Sequence, residues 1–399
     1  MDKSKTEEAL NRNIESIYPS KEALEKVLFS GKKLAIYNGI DPTNPNIHLG
    51  NAVSLWKLRD FQKLGHKTIL LVGDFTACIG DPSDKNSERP KLSEKQVLEN
   101  AKKYKKQAEK ILDFSSSKNP CKLEFNSKWL GKMKNKELLE LAGCFTVQQI
   151  IERDLFQKRL KEKKPIGLHE FLYPLFQGYD SVAMNIDMEI GGRDQLFNML
   201  AGRTLLEKYK KKEKFVITTT FLEGTDGRKM SKSWQNAINL TDSPKEQYGK
   251  IMSMKDELIL DYFRAATRRS LSEIKEIERK IKAKKTNPRD VKASLAREVV
   301  ALYYGEKKAR EEEKEFNKVF KEKKLPSDIL GIKIKGKSMK ALDFLVETKL
   351  VNSKTEAQRM ILQGAVKINN NLQKEWKKEI EIKKGMIVQV GKRRFVKIK

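Results

Sequence analysis

Short apolar segments recur through the first 220 residues, each followed by an amphipathic stretch, and this alternation constrains the fold more than any other feature. Residues 67–73 read Lys-Thr-Ile-Leu-Leu-Val-Gly, a nearly continuous apolar run. A strand covered on both faces loses the in–out alternation of a half-exposed one and reads this way. Residues 34–40 read as a strand, a further strand ends at 123–126, and 215–221 form another β-rich run. Between the first two, residues 48–64 place Leu49, Val53, Leu55, Trp56, Leu58, Phe61 and Leu64 at helical spacing, with Gly65 as a stop. Residues 94–112 read as a further helix. Strands alternating with helices imply a parallel sheet with crossover helices. The expected class is therefore α/β, with a Rossmann-like doubly wound parallel sheet over residues 1–240.

The pattern changes near residue 240. Ser243-Pro244-Lys245-Glu246 combines an N-cap, a proline at the first helical position and a capping-box glutamate. Asn287-Pro288-Arg289-Asp290 begins another helix in the same way, and 241–325 is expected to be an all-α domain. Residues 326–338 read as a linker with some strand tendency. Residues 339–399 read as a small α+β unit: a helix over 339–348, a second capped by Ser353 and Glu356, and strands at 365–369, 386–390 and 394–398.

Charge narrows the partner. The 399 residues include 83 Lys and Arg against 54 Asp and Glu, a net charge of +29. Such an excess suits a polyanion, either a nucleic acid or an anionic membrane. The membrane reading is the weaker, because no apolar run approaches the ~20 residues of a spanning helix. Met1-Asp2-Lys3-Ser4-Lys5 leads into a charged, helix-like stretch rather than an apolar signal region. The excess is densest at the end of the chain, where residues 338–399 hold 15 basic and 6 acidic residues, so a long polyanion should lean hardest there. Cys78, Cys121 and Cys144 show no disulfide or zinc spacing, and a reducing, cytoplasmic location is expected. With three histidines, His48, His66 and His169, no His-rich metal site is expected.

Two constellations carry chemistry. The first is Tyr37-Asn38-Gly39-Ile40-Asp41-Pro42-Thr43, followed by His48-Leu49-Gly50-Asn51. It joins a strand end to a helix start, where free N–H groups and the helix dipole favour anions. His48 can donate to a phosphate oxygen, and Gly50, lacking a Cβ, lets a flat ring lie against the backbone. The second is Gly227-Arg228-Lys229-Met230-Ser231-Lys232-Ser233, a cationic loop able to follow phosphate charge as it moves in a transition state. His66, His169 and Cys78 read as structural, the thiol because no base is spaced to activate it.

A His-x-Gly-His-like motif near the start of a Rossmann-like sheet, with Lys-Met-Ser-Lys-Ser about 180 residues later, resembles the signature pair of class I aminoacyl-tRNA synthetases. Over nearly the full chain the resemblance is to the bacterial tyrosyl-tRNA synthetase family. It implies that Tyr37 and Asp180 meet the phenol of a tyrosine substrate, and that Asp81, Tyr173 and Gln177 hold its ammonium. Asn126 and Gln195 would line the same pocket. On the nucleotide side it implies Asp41, Thr43, His48, Gly50 and Asn51 at the first signature, then Gly192 and Asp194 at the ribose. Lys229, Met230, Ser231 and Lys232 match the second signature, and Lys85 and Arg89 the basic residues approaching the pyrophosphate from the other side. The C-terminal unit resembles the S-four RNA-binding module, which implies tRNA contacts from Lys354, Arg359, Lys392, Arg393 and Arg394. In two places the sequence departs from the family. Asn51 replaces the second histidine of the first signature, and Arg193 stands where a small Ser or Thr is usual.

The implied activity is tyrosine–tRNA ligation: L-tyrosine and ATP give tyrosyl-adenylate and pyrophosphate, and tyrosine passes to the 3′ end of tRNA-Tyr. ATP would enter as its magnesium complex, with no protein-held metal, and the family is homodimeric. A tryptophanyl-tRNA synthetase and a non-catalytic RNA-binding paralogue are the rival readings. The Tyr37–Asp180 pair and the C-terminal module oppose the first, and intact Lys229, Lys232, Asp81, Asp180 and Asp194 oppose the second.

Overall fold

The computed structural model describes residues 2–80, 92–230, 234–322, 325, 329–334, 336–391 and 394–399. The chain forms two compact units, Met1–Arg310 and Glu311–Lys399.

The first unit is built on six strands: β1 (Ile14–Tyr18), β2 (Ala35–Ile40), β3 (Lys67–Val72), β4 (Lys122–Phe125), β5 (Met188–Gly192) and β6 (Phe215–Thr219). Their order is β1-β6-β5-β2-β3-β4. All neighbours are parallel except β1, which runs antiparallel to β6 at the edge. From β2 the chain moves outward through β3 and β4, then returns to place β5 and β6 on the other side. The order therefore reverses between β2 and β5, and open parallel sheets bind ligands beyond the strand ends at such a point.

All five residues of β6, Phe-Val-Ile-Thr-Thr, are buried, which explains why its sequence lacks in–out alternation. The Leu49–Lys63 helix buries Leu49, Val53, Leu55, Trp56, Leu58 and Phe61. The helix expected over 94–112 ends at Ala108. Two helices flank the switch point, Leu168–Ala183 and Leu196–Lys210. They approach closely because Gly178 faces Gly202; a Cβ on Gly178 would lie 3.0 Å from the Gly202 backbone nitrogen. Pro244–Ser253 and Pro288–Tyr304 start at Ser243 and Asn287, whose side chains cap them.

The second unit carries β7 (Gly331–Ile332), β8 (Ser338–Lys340), β9 (Val366–Ile368), β10 (Asn371–Leu372), β11 (Glu379–Glu381), β12 (Ile387–Val390) and β13 (Arg394–Ile398). Five of them form a sheet in the order β10-β9-β12-β13-β7, and β11 pairs with β8. The helices Ala341–Glu347 and Lys354–Leu362 contribute Phe344, Leu345, Ala357 and Ile361 to a core with Val366, Val388, Val390 and Val396. Part of the stretch read as a linker thus joins this unit: Ile332 and Ile334 pack on its core, and β7 pairs in parallel with β13.

Candidate active site

Tyr37 lies in β2 at the switch point and is fully buried. The Leu168–Ala183 helix brings Tyr173, Gln177, Asp180 and Ser181 to it, at spacings that share one helical face. The Tyr37 hydroxyl lies 3.1 Å from Ser181 Oγ. Asp180 is held from its other side: Trp129 Nε1 donates to Oδ1 at 2.7 Å and Asn126 Nδ2 to Oδ2 at 3.4 Å. Asn126 follows β4, also donates to Thr76 Oγ1 at 3.1 Å, and accepts from the Phe75 amide. Asp41, just past β2, accepts from Tyr173 Oη and Thr76 Oγ1, each at 2.8 Å. Gly73 makes room for this contact, since a Cβ there would overlap the Asp41 carboxylate and the Thr76 hydroxyl. Gln177 donates to Glu189 Oε1 at 3.2 Å, and Asn198 joins Gln177 and Gln195 by donating to both side-chain oxygens.

Burial sets the protonation of this pocket. It pushes the Asp180 carboxyl well above the usual carboxylate range, opposed by the Trp129 and Asn126 hydrogen bonds. It also raises the Tyr37 hydroxyl far above its ordinary value, helped by the charges of Glu189 and Asp180. Tyr37 therefore keeps its proton and can donate it.

The outer end of the crevice begins at His48, the N-cap of the Leu49–Lys63 helix. His48 Nδ1 accepts from the Asn51 amide at 3.2 Å, and Asn51 Oδ1 accepts from the His48 amide at 3.4 Å. The substituted residue Asn51 thus completes a capping box. The cap also fixes the imidazole tautomer: with Nδ1 accepting, the proton sits on Nε2. Burial, together with Lys229, lowers the His48 pKa to about 4, so the ring is neutral at pH 7. Gly50 is needed for this fold-back, because a Cβ would lie 3.0 Å from His48 Nδ1.

Across the crevice, Gly192 ends β5 and Asp194 follows it, exposed. A Cβ on Gly192 would lie 2.6 Å from Asp194 Oδ1, so the glycine leaves space for that carboxylate. Lys229 Nζ reaches Asp194 Oδ2 at 3.5 Å. Asn236 anchors the segment before the second signature, donating to Asp226 Oδ1 at 2.8 Å and to the Lys229 carbonyl at 3.1 Å. Met230 is buried, and Thr43 closes a tight turn on the Asp41 carbonyl at 2.8 Å. Arg193 is 73% exposed and pairs with Glu15 of β1 at 2.5 Å.

The structure thus gathers Tyr37, Asp41, Asn126, Tyr173, Gln177, Asp180 and Gln195 at the inner end, and His48, Asn51, Asp194 and Lys229 at the outer end. Asp81, Lys85, Arg89, Ser231, Lys232, Lys392 and Arg393 lie outside the described residues. In the second unit Lys354 and Arg359 are exposed, and Lys354 pairs with Asp343 at 2.5 Å. Arg394 bonds to Glu356 at 3.1 Å and to the Leu350 carbonyl, bracing β13 against a helix.

Sequence reasoning missed Thr76, Trp129, Ser181, Glu189, Asn198 and Lys214. The one signal available for them was a glutamate inside the apolar run Met188-Glu189-Ile190. A charge within a buried strand needs a partner, and here it is Lys214, which is fully buried. Among the described residues no group of three or more His, Cys, Asp or Glu could hold a metal ion.

A family model described as class I tRNA synthetases (W and Y) matches residues 30–321, and one described as the SYY-like C-terminal domain of tyrosine–tRNA ligase matches 315–398. A tyrosine–tRNA ligase from Thermotoga maritima is 45% identical over 98% of this chain and 96% of its own length. One from Moorella thermoacetica is 43% identical over 98% and 94%. Among solved structures, a C-terminally truncated mitochondrial tyrosyl-tRNA synthetase from Coccidioides posadasii aligns at a TM-score of 0.62 and 25% identity, over 78% of this chain and 90% of that one. The Archaeoglobus fulgidus tyrosyl-tRNA synthetase, complexed with L-tyrosine, also gives 0.62, at 23% identity over 78% of this chain and all of that one, and supports the fold.

Proposed function

The chain belongs to the class I tRNA synthetases of the tryptophan and tyrosine type, and from that premise we propose how its residues divide the work of a tyrosine–tRNA ligase. The enzyme joins tyrosine to tRNA at the expense of ATP. The tyrosine carboxylate attacks the α-phosphorus of ATP, pyrophosphate leaves, and a ribose hydroxyl of the terminal tRNA adenosine then attacks the acyl carbonyl. No side chain serves as a covalent nucleophile; catalysis is positioning plus charge stabilisation.

The residue assignment is supported by the buried polar cluster at the β2–β5 switch point, which includes Tyr37 and Asp180, a pair suited to a ring that carries a hydroxyl. Tyr37 donates to the substrate phenol and Asp180 accepts its proton. Phenylalanine would make neither of these two hydrogen bonds, at a cost of roughly 1–3 kcal/mol for each buried polar group left with an unfilled position. Tyr173, Gln177 and Asp81 hold the ammonium, with Asn126 and Gln195 lining the pocket. Neutral His48 donates from Nε2 to a phosphate oxygen, and the Asn51 amide supplies a second donor. Asp194 takes the ribose hydroxyls, with Gly192 giving the clearance. Lys229 and Lys232 meet the leaving pyrophosphate, and Lys85 and Arg89 approach it from the other side. Magnesium enters with ATP as part of the substrate.

Domain roles follow the chain: residues 1–240 activate tyrosine, and 241–325 and 339–399 bind tRNA. Lys354, Arg359, Lys392, Arg393 and Arg394 make phosphate contacts. A homodimer is supported by large apolar side chains left exposed between residues 133 and 170, among them Leu139 at 72%, Val147 at 64% and Leu168 at 81%. The three unpaired cysteines suit the cytoplasm. The test is tyrosine-dependent exchange between ATP and pyrophosphate. Exchange with tyrosine and not with tryptophan is expected; equal exchange with both, or none with tyrosine, would overturn the pocket assignment.

A further inference from the structure

The buried pair Lys214–Glu189 has no part in the roles above, yet it lies one side chain away from Tyr37. Lys214 directly precedes β6. Its ammonium donates to Ser181 Oγ at 2.8 Å, to the Met199 carbonyl at 3.0 Å and to the Glu189 carboxylate. An ammonium has three protons and no lone pair, so Lys214 can only donate, and these three acceptors use all it has. Ser181 Oγ therefore accepts from Lys214, and its own proton is left to give. The Tyr37 hydroxyl is within 3.1 Å to receive it. Gly202 leaves the space for this contact: a Cβ there would lie 2.5 Å from Lys214 Nζ and 2.9 Å from Ser181 Oγ.

We infer that Lys214, acting through Ser181, is a positioning residue that fixes the direction of hydrogen bonding at Tyr37, so that Tyr37 donates outward to the substrate phenol and Asp180 is left to accept the phenol proton. Glu189 is the other acceptor beside the Tyr37 hydroxyl, and Lys214 occupies its carboxylate, so that along the line Lys214, Ser181, Tyr37, phenol, Asp180 each hydroxyl accepts once and donates once. Without the ammonium, Ser181 is free to accept from Tyr37 instead, and the Tyr37 proton turns away from the substrate. The pair also reaches the other end of the amino acid, because Glu189 Oε1 accepts from Gln177 Nε2. The inference rests on the assignment of Tyr37 and Asp180 to the phenol.

The test compares three full-length variants, Ser181→Ala, Tyr37→Phe and the double variant Lys214→Met with Glu189→Gln, which removes both buried charges together. Pyrophosphate exchange is measured with tyrosine and with phenylalanine, and the KM for ATP in parallel. Ser181→Ala and the double variant should each raise the tyrosine KM about tenfold and lower the preference for tyrosine over phenylalanine about tenfold, the loss of one buried hydrogen bond. The ATP KM and the phenylalanine rate should not change, and Ser181→Thr should recover most of the preference. If Ser181→Ala keeps full preference while Tyr37→Phe loses it, the relay is wrong and the pocket assignment stands. If neither loses it, both are wrong. Ser181→Ala leaves the ion pair in place, so it decides the matter even if the double variant does not fold.

Discussion

Tyr37, Asp180, Asn126, Tyr173 and Gln177, at the inner end of the crevice, are each within hydrogen-bonding distance of a neighbouring side chain of the same pocket. At the outer end Asp194 and Lys229 are exposed and meet at 3.5 Å, while His48 bonds mainly to the start of its own helix. The contrast fits the two tasks proposed above. Telling one amino acid from another needs groups that are desolvated and already oriented, so that a missing hydroxyl leaves a hydrogen-bonding position unfilled. Stabilising pyrophosphate as it departs needs charges that follow a moving target, which a fully bonded pocket could not supply.

The sharpest way to separate the two ends is Lys229→Ala. It should slow tyrosine activation by about 10²–10³-fold and leave the tyrosine KM nearly unchanged, as read from single-turnover adenylate formation. Lys232→Ala should behave in the same way. A large loss of tyrosine affinity in either variant would erase the division. Asp180→Ala should do the reverse, raising the tyrosine KM by about 100-fold with little change in the ATP KM, because it removes a buried acceptor. Removing residues 338–399 should spare both ends, leaving pyrophosphate exchange intact while charging of tRNA falls by about tenfold and loses part of its salt dependence. Normal charging by the shortened enzyme would take these residues out of tRNA binding. Gly73→Ala should cost about 1–3 kcal/mol of stability, read by denaturant titration, since its Cβ meets Asp41 and Thr76.

The smallest effect concerns pH. Burial lowers both His48 and His66 from 6.5 to about 4. The unfolded chain therefore binds more protons than the folded one between those values, and stability falls as pH drops through that window. Melting temperatures should show no contribution from these groups above pH 6.5 and a decline below it. Titration of the His48 imidazole followed by NMR should show a proton on Nε2 and a midpoint near 4; a midpoint near 6.5 would remove the argument for a neutral ring.

The sequence made the outer end legible because each of its two signatures is contiguous, His48 to Asn51 and Gly227 to Ser233. His48 and Asn51 are three residues apart, and the capping box they form emerged only in the structure. Strands β2, β3 and β6 were likewise legible, as short segments rich in apolar and β-branched residues. Strand β5 was hidden by Glu189 and two glycines, and β1 by its short mixed stretch Ile-Glu-Ser-Ile-Tyr. Both exceptions have physical causes: Glu189 is paired across the β5–β6 boundary, and β1 sits at the antiparallel edge. The supports of the inner end are non-local. Trp129 reaches Asp180 across 51 positions and Lys214 reaches Ser181 across 33, so no spacing rule could connect them. Arg193, unexplained as sequence, is accounted for by Glu15, which is 178 positions away.

Equilibrium binding of L-tyrosine and L-phenylalanine to the enzyme without ATP tests the account most directly. If the inner pocket is already organised, tyrosine should bind in the absence of nucleotide and phenylalanine at least about 100-fold more weakly. Comparable affinity for the two, or selectivity that emerges only when ATP is added, would contradict it.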